Sequence, residues 1–161
     1  MPTPTPTPAP YVTLAFDDFE SADANGGSGW LGPWQSTGLF VVSGDGPHSG
    51  SWQQDLSSRV FAWRAADLSG QEGVHLRFWS RLSRAAPTHR AIVIISRDDG
   101  LSWQAVKELS DVEADGAYHL YDIDLSGIEM SAGFLVGFYS LLDPATDIWY
   151  IDDVELVRAP P

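Results

Sequence analysis

From residue 11 onward, short apolar runs alternate with clusters of turn-forming residues, and no long stretch has a helical period. The runs are rich in β-branched and aromatic residues and predict nine strands, at 11–19, 51–56, 60–66, 74–82, 90–96, 104–108, 117–125, 134–140 and 149–157. Gly, Ser, Asn and Asp are concentrated between them. Strands of this length and spacing predict an all-β sandwich of two antiparallel sheets.

Alternation along the predicted strand 74–82 divides its side chains into two sets. One set is apolar and consists of Leu76, Phe78 and Leu82. The other set places a tryptophan among basic side chains and consists of His75, Arg77, Trp79 and Arg81. The first set is predicted to face the core and the second to lie on an outer face. The strand 90–96 is apolar on both faces, which predicts a central position.

The first ten residues differ in composition from the rest of the chain, because proline alternates with threonine or alanine from Pro2 to Pro10. Alternating proline favours an extended polyproline spacer. The sequence therefore predicts a linker over 1–10, one domain over 11–158 and a short tail over 159–161. Linkers of this kind join modules of secreted bacterial proteins, so we expect a secreted or cell-surface module of a larger extracellular protein.

Charge and composition exclude several classes of function. The 161 residues include 22 acidic and 9 basic side chains, a formal net charge of -13 that would repel nucleic acid. No apolar run approaches the roughly 18 residues that a membrane span requires, so no membrane insertion is expected. The absence of cysteine excludes disulfides, thiolate zinc sites and cysteine nucleophiles. With no Gly-x-Ser-x-Gly elbow and no Gly-rich phosphate loop, we predict that the protein is not an enzyme.

The most complete local motif runs from Ser96 to Trp103. It has the Asp-box pattern Ser-x-Asp-x-Gly-x-x-Trp, with Asp98 and Gly100 at the fixed positions between them. In such a hairpin the Asp accepts hydrogen bonds from turn amides, the Gly takes a positive φ and the Trp packs back across the turn. Sialidase propellers carry several copies of this motif, whereas one copy in 161 residues cannot form a propeller. We therefore assign these four residues a structural role.

Acidic side chains are clustered near both ends of the domain, at 16–21 and 149–156. The first and last strands of a sandwich commonly lie side by side, where unneutralised carboxylates would repel one another. Calcium takes six to eight oxygen ligands and would relieve this repulsion. We predict a structural Ca²⁺ held by Asp18, Glu20, Asp152 and Asp153, with backbone oxygens from the loop at 43–51. The alternatives are solvated acids that protect an edge strand, and the general acid and base of a glycosidase.

A ligand face is predicted around Trp79, where five of the nine basic residues fall within twenty-one positions. Aromatic rings stack on the apolar faces of sugars, and Arg bonds hydroxyls or carboxylates. The predicted ligand residues are Trp79, Arg77, Arg81 and His75, with Tyr139 extending the same face. In the alternative interpretation the Arg side chains only cover Trp79 and pair with nearby acids. Trp30, Trp34, Trp52 and Trp63 are expected to be core or loop anchors.

Several short motifs occur in an order that resembles the calcium-binding jelly-roll superfamily. They are Trp30 and Trp34 after a Gly/Ser-rich stretch, Ser49-Gly-Ser51, Asp67-Leu-Ser-Gly70, Val74-His-Leu-Arg-Phe78, the Asp-box, Tyr121-Asp-Ile-Asp-Leu-Ser126 and Tyr150-Ile-Asp-Asp-Val154. The superfamily includes MAM-like domains, the jelly-roll part of reelin repeats and many carbohydrate-binding modules. The resemblance implies a jelly-roll sandwich with a structural calcium between the N-terminal Asp/Glu segment and the terminal Asp pair. The absence of cysteine favours a bacterial relative associated with a protease or glycosidase.

Together these features predict a non-catalytic binding module, with a polysaccharide or other glycan as its ligand. The alternative is a structural or adhesion domain of a surface protein or filament. In that case its partners would be neighbouring modules of the parent protein or copies of itself.

Overall fold

Two antiparallel sheets form the protein, and the predicted all-β sandwich is confirmed. The computed structural model describes residues 10–143 and 147–160. Most of the predicted linker and the last residue of the predicted tail therefore lie outside the described residues. The strands are β1 (Val12–Asp17), β2 (Gln35–Ser36), β3 (Val41–Ser43), β4 (Gln53–Ser57), β5 (Phe61–Ala66), β6 (Val74–Leu82), β7 (Arg90–Ser96), β8 (Gln104–Leu109), β9 (His119–Asp124), β10 (Phe134–Leu141) and β11 (Ile148–Arg158). A 3₁₀ turn, Asp111–Glu113, lies between β8 and β9, and no helix in the described residues is long and apolar enough to cross a membrane.

The first sheet has the strand order β3-β4-β11-β6-β9, and the second has the order β2-β5-β10-β7-β8. β11 pairs with β6 on one side. On its other side its first half pairs with β4 and its second half with β1. The first and last strands therefore lie side by side, as predicted, with Val12 opposite Arg158 and Asp17 opposite Val154.

Two strands were not predicted, and β1 ends two residues earlier than predicted. β2 and β3 have two and three residues, too few to show a period. β1 ends at Asp17 because Phe19 takes a φ of 60° and its amide donates to Asp17 Oδ1 at 2.8 Å. This turn directs Phe19 into the core, where it is fully buried.

The core lies between the sheets and is centred on aromatic residues. Phe138 of β10 meets Phe78 of β6 at 5.2 Å between ring centroids and Trp149 of β11 at 5.6 Å, both edge to face. Trp34 is 3% exposed and lies 5.9 Å from Phe138. The core position expected for Trp34 is therefore correct, and β7 has neighbours on both sides, as predicted.

A buried ion pair joins the sheets and has no counterpart in the sequence predictions. Arg64 of β5 is 3% exposed, and its Nη1 lies 2.5 Å from Oδ2 of Asp17, which is fully buried. Asp17 Oδ2 also accepts a hydrogen bond from Trp34 Nε1 at 2.9 Å, and Arg64 Nε donates to Gly32 O at 2.7 Å. The guanidinium lies 5.1 Å from the Trp30 ring. These contacts fix the segment between β1 and β2 against β5.

Candidate functional site

The outer face of the first sheet carries the basic and aromatic set predicted on β6. Burial alternates along the strand, with Leu76 and Phe78 buried and His75, Arg77, Trp79 and Arg81 half-buried on the opposite face. The predicted facing of this strand is therefore confirmed.

The cationic groups on this face have partners within the protein. Arg77 Nη1 lies 2.8 Å from Glu155 Oε1, and Arg77 Nε lies 3.4 Å from Asp122 Oδ2. His75 Nδ1 lies 2.6 Å from the other oxygen of Asp122. The Arg77 guanidinium also lies 5.0 Å from the ring of Tyr11. These contacts are those of the alternative in which Arg covers aromatic rings and pairs with acids.

The loop between β3 and β4 covers the remainder of this face. Its His48 ring stacks on Trp79 with 3.7 Å between centroids and an angle of 13°. Arg81 lies 3.9 Å from the Tyr150 ring and donates to the carbonyl of Asp45. Burial and a hydrogen bond to Asp45 raise the pKa of Tyr150 to about 12, so its hydroxyl remains a donor at neutral pH. Two of the predicted ligand residues, Trp79 and Arg81, therefore contact a loop of the same chain.

The prediction that Tyr139 extends this face is wrong. Tyr139 is half-buried on β10, which belongs to the second sheet. Strand alternation shows which residues of one strand share a face, but it does not show to which of two sheets the strand belongs. The Tyr139 ring instead packs edge to face on Phe61 of β5, with 5.7 Å between the ring centroids.

Four half-buried aromatic rings form a continuous group on the outer face of the second sheet, which we call the aromatic platform: Phe61, Trp63, Trp103 and Tyr139. Phe61 is at its centre. Trp63 stacks on Phe61 at 4.8 Å with an angle of 27°, and the edge contact with Trp103 has a centroid distance of 5.0 Å and an angle of 85°. Each ring therefore has part of its surface covered by another ring and part open to solvent.

Gly137 forms the floor of the platform. It lies opposite Trp63 in the β5–β10 pair, and a Cβ built on it would be 2.6 Å from the Phe61 ring. Only glycine allows Phe61 to lie this close to the sheet. Beyond Trp63 the face continues as a groove of about 260 Å³, which Gln35 and Asp99 line together with Leu31, Pro33, Ala65 and Leu135. Carboxylate and amide groups therefore lie next to the rings.

Trp63, for which the sequence predicts a core or loop anchor, lies instead on the outer face of β5. A signal was present, because Phe61 and Trp63 alternate with Ala62 in β5 and small residues suit the crowded inner face. Arg64 concealed this signal, since a charged residue is ordinarily assigned to the outer face. Here it faces inward to its buried partner, Asp17.

Side-chain hydrogen bonds determine the shape of the turn between β7 and β8, which contains the Ser96–Trp103 segment. Ser96 Oγ donates to Asp98 Oδ1 at 2.7 Å and accepts from Gly100 N at 2.9 Å. Asp98 Oδ1 also accepts from Ser102 N at 2.8 Å, and Ser102 Oγ donates to the second oxygen. The bonds from Ser102, followed by that from Ser96, lower the pKa of Asp98 to about 2. Gly100 has a φ of 86°, and Trp103 packs on Phe61.

Three of the four predicted calcium ligands converge on the β3–β4 loop. Glu20 Oε1 accepts from the amides of Ser51 and Trp52 at 2.7 and 2.8 Å. Ser49 donates its amide to Asp152 Oδ2 at 3.1 Å and its hydroxyl to Asp153 Oδ1 at 2.7 Å. The fourth predicted ligand, Asp18, accepts a hydrogen bond from the amide of Glu20 instead.

The carboxylates of this region are suitable ligands for calcium. However, the loop presents backbone N–H groups to them rather than carbonyl oxygens. Burial raises the pKa of the fully buried Asp152 to about 7. Within residues 10–143 and 147–160, no group of three or more His, Cys, Asp or Glu side chains could hold a metal ion as arranged. The calcium site therefore stays a prediction.

Comparisons with known proteins show likeness in structure rather than in sequence. No family model and no curated protein matches the chain. The CBM22-1 xylan-binding domain of Paenibacillus barcinonensis Xyn10C matches with a TM-score of 0.61 and 16% identity, covering 94% of this chain and all of the other. TmCBM61, solved with β-1,4-galactotriose, matches with a TM-score of 0.61 and 18% identity over 88% of this chain and 94% of the other. The K3 cleaved adhesin domain of Lys-gingipain from Porphyromonas gingivalis matches with a TM-score of 0.63 and 14% identity over 93% and 100%.

At these identities the comparisons establish the fold. The chain has a jelly-roll β-sandwich fold, as predicted, and its structural neighbours include carbohydrate-binding modules.

Proposed function

We propose that the protein is a non-catalytic carbohydrate-binding module and that the aromatic platform is its binding surface. The observation that carries this proposal is the group of four contiguous, half-buried rings on the outer face of the second sheet. A group of half-buried aromatic rings that share one outer face of a sheet favours a ligand-binding role. The face around Trp79 has similar residues, but His48 and the β3–β4 loop occupy it.

The chemistry of the platform fits a sugar chain. The C–H groups of a pyranose ring pack on aromatic faces, and its hydroxyls require hydrogen-bonding groups beside them. Gln35 and Asp99 supply such groups in the adjoining groove. The names of two structural neighbours describe one as xylan-binding and the other as bound to β-1,4-galactotriose, which makes neutral polysaccharides the first ligands to test.

Two further features are part of this proposal. We propose that the module is secreted and that residues 1–10 join it to a larger extracellular protein, since the Pro-Thr repeat supports a linker. We also propose that Glu20, Asp152 and Asp153 bind a structural Ca²⁺. The support is that all three carboxylates accept hydrogen bonds from one loop, and that in the described part of the chain no cationic side chain pairs with the buried Asp152.

Affinity electrophoresis in gels containing xylan or β-1,4-galactan tests the binding proposal. Trp63→Ala and Trp79→Ala are a matched pair, because each removes one half-buried indole from one of the two outer faces. We expect Trp63→Ala to lose retention and Trp79→Ala to keep it. The reverse result would move the site to the first sheet. Absence of retention of the wild-type protein on these and other neutral polysaccharides would refute glycan binding.

A second candidate function is adhesion through protein contacts. The observation in its favour is the similarity to a cleaved adhesin domain, which covers 93% of this chain. Light scattering of the protein with and without residues 1–10 tests self-association. A mass that rises with protein concentration, but no longer does so without those residues, supports assembly. A monomeric mass under all conditions counts against it.

A further inference from the structure

The Asp-box turn and the aromatic platform share one residue, Trp103. The turn places this side chain immediately before β8, at the end of the connection that follows β7. The last residue pair between β7 and β8 is Ile95 with Gln104, so residues 96–103 lie outside the β7–β8 ladder. Pairing of the strands therefore does not by itself determine where the Trp103 ring lies.

Side-chain hydrogen bonds determine the shape of this turn. Asp99 and Gly100 both take positive φ, at 58° and 86°, which is unfavourable for Asp99 without compensating contacts. Asp98 supplies such contacts by accepting from the amide and hydroxyl of Ser102, the residue before Trp103. A second attachment comes from Asp99 N, which donates to Gly133 O at 3.2 Å. The Asp98 carboxylate thus fixes the backbone directly next to the tryptophan.

The Phe61 ring depends on this tryptophan. Its lower face lies over Gly137, and three rings surround it: Trp63 by stacking, and Trp103 and Tyr139 by edge contacts. Trp103 is the only one of these three that lies outside β5 and β10. A shift of the turn would therefore remove one side of the Phe61 enclosure while leaving the β5–β10 pair intact.

We infer that Asp98 is a positioning residue for the aromatic platform: its carboxylate holds the turn that keeps Trp103 against Phe61. This inference rests on the proposed function, in which the platform binds glycan. It gives the Asp-box of this chain a part in ligand binding without contact between Asp98 and the ligand.

The test compares Asp98→Ala with Asp124→Ala. Asp124 is a matched control because its carboxylate also accepts from the amide and hydroxyl of a following serine, Ser126, but on β9 of the first sheet. Loss of one aromatic edge contact corresponds to about a two- to twelvefold lower affinity, so we expect a decrease of that size in xylan or β-1,4-galactan gels for Asp98→Ala only. Asp98→Asn keeps an acceptor oxygen for Ser102 N and should restore most of the retention.

A readout without ligand separates positioning from general destabilisation. In aromatic NMR spectra, Asp98→Ala should shift the ring signals of Phe61 and Trp63, while Asp124→Ala should leave them in place. Unmoved signals and wild-type retention of Asp98→Ala would overturn the inference. If Trp63→Ala loses retention but Asp98→Ala does not, the proposed function stands and the inference fails. If the wild-type protein binds neither polysaccharide, the proposed function loses its support, and the Phe61 signals alone decide whether Asp98 positions the platform.

Discussion

Removing the guanidinium of Arg64 should destabilise the fold more than most single changes in this protein. In Arg64→Leu the Asp17 carboxylate keeps the donors Phe19 N and Trp34 Nε1 but loses the cation 2.5 Å away. Both partners are at most 3% exposed, so water cannot replace the lost partner. Breaking a buried pair from one side typically costs about 3–5 kcal/mol. For a domain of this size that corresponds to a fall in Tm of about 6–20 °C.

Urea unfolding followed by tryptophan fluorescence measures this loss, and the double variant Asp17→Asn/Arg64→Leu provides the control. Because the double variant leaves no buried charge, it should recover about half of the lost free energy of unfolding. A loss below about 1 kcal/mol in Arg64→Leu would refute the argument, since it would mean that the carboxylate finds solvent or another partner.

The pH dependence of the same variant gives a second check. Burial already raises the pKa of Asp17 in the wild-type protein, and loss of Arg64 should raise it further. A carboxyl whose folded pKa lies above its unfolded value costs stability once the pH exceeds the unfolded value. The deficit of Arg64→Leu should therefore be largest at pH 7 and shrink as the pH falls towards 4. An unchanged deficit across that range would mean that the stranded charge is not its cause.

Three further predictions concern other polar groups. Gln54 is fully buried, and neither its amide oxygen nor its amide nitrogen has a hydrogen-bond partner among the described residues. Gln54→Met should therefore raise the free energy of unfolding, measured in urea, by about 1 kcal/mol. A lower free energy of unfolding would indicate a bound water that the glutamine requires. The pKa of Asp98 is lowered to about 2, so the stability that its carboxylate adds is present above pH 4 and is lost as the pH falls through 2. The difference in Tm between wild type and Asp98→Ala should therefore disappear between pH 4 and pH 2, and a constant difference would contradict this. A chelator should lower the Tm by several degrees if Ca²⁺ binds at Glu20 and Asp152, and Asp152→Asn should abolish that response, whereas a wild-type Tm indifferent to chelation would refute the calcium proposal.

The fold was predictable because each long strand carries its own period. In β6 the alternation of Leu76 and Phe78 with Arg77 and Trp79 determines both the element and its two faces. Repeated short runs of this kind, separated by clusters of turn residues, are sufficient to predict a sandwich. β2 and β3 could not be predicted in this way because two and three residues are too few to show a period.

The candidate site was less predictable because it depends on which strands become neighbours. Tyr139 and Trp63 are 76 positions apart, and nothing local shows that β5 and β10 pair. Similarly, the sequence around Trp79 does not show that His48 will stack on it. Strand alternation identified the outer face around Trp79, but long-range pairing decides that His48 stacks on Trp79 and that Tyr139 lies on the sheet of Trp63.

The pairing of β1 with β11 also determines how the protein responds to mechanical force. Val12 lies opposite Arg158, so the chain enters β1 and leaves β11 at the same end of this strand pair. A pull applied between these two residues acts along the inter-strand hydrogen bonds, which run perpendicular to the strands in an antiparallel pair. The Val12–Arg158 pair would open first and the others would follow one at a time, as in a zipper, instead of resisting together in shear. The sandwich should therefore extend at low force, and β1 should detach before the second sheet is disturbed.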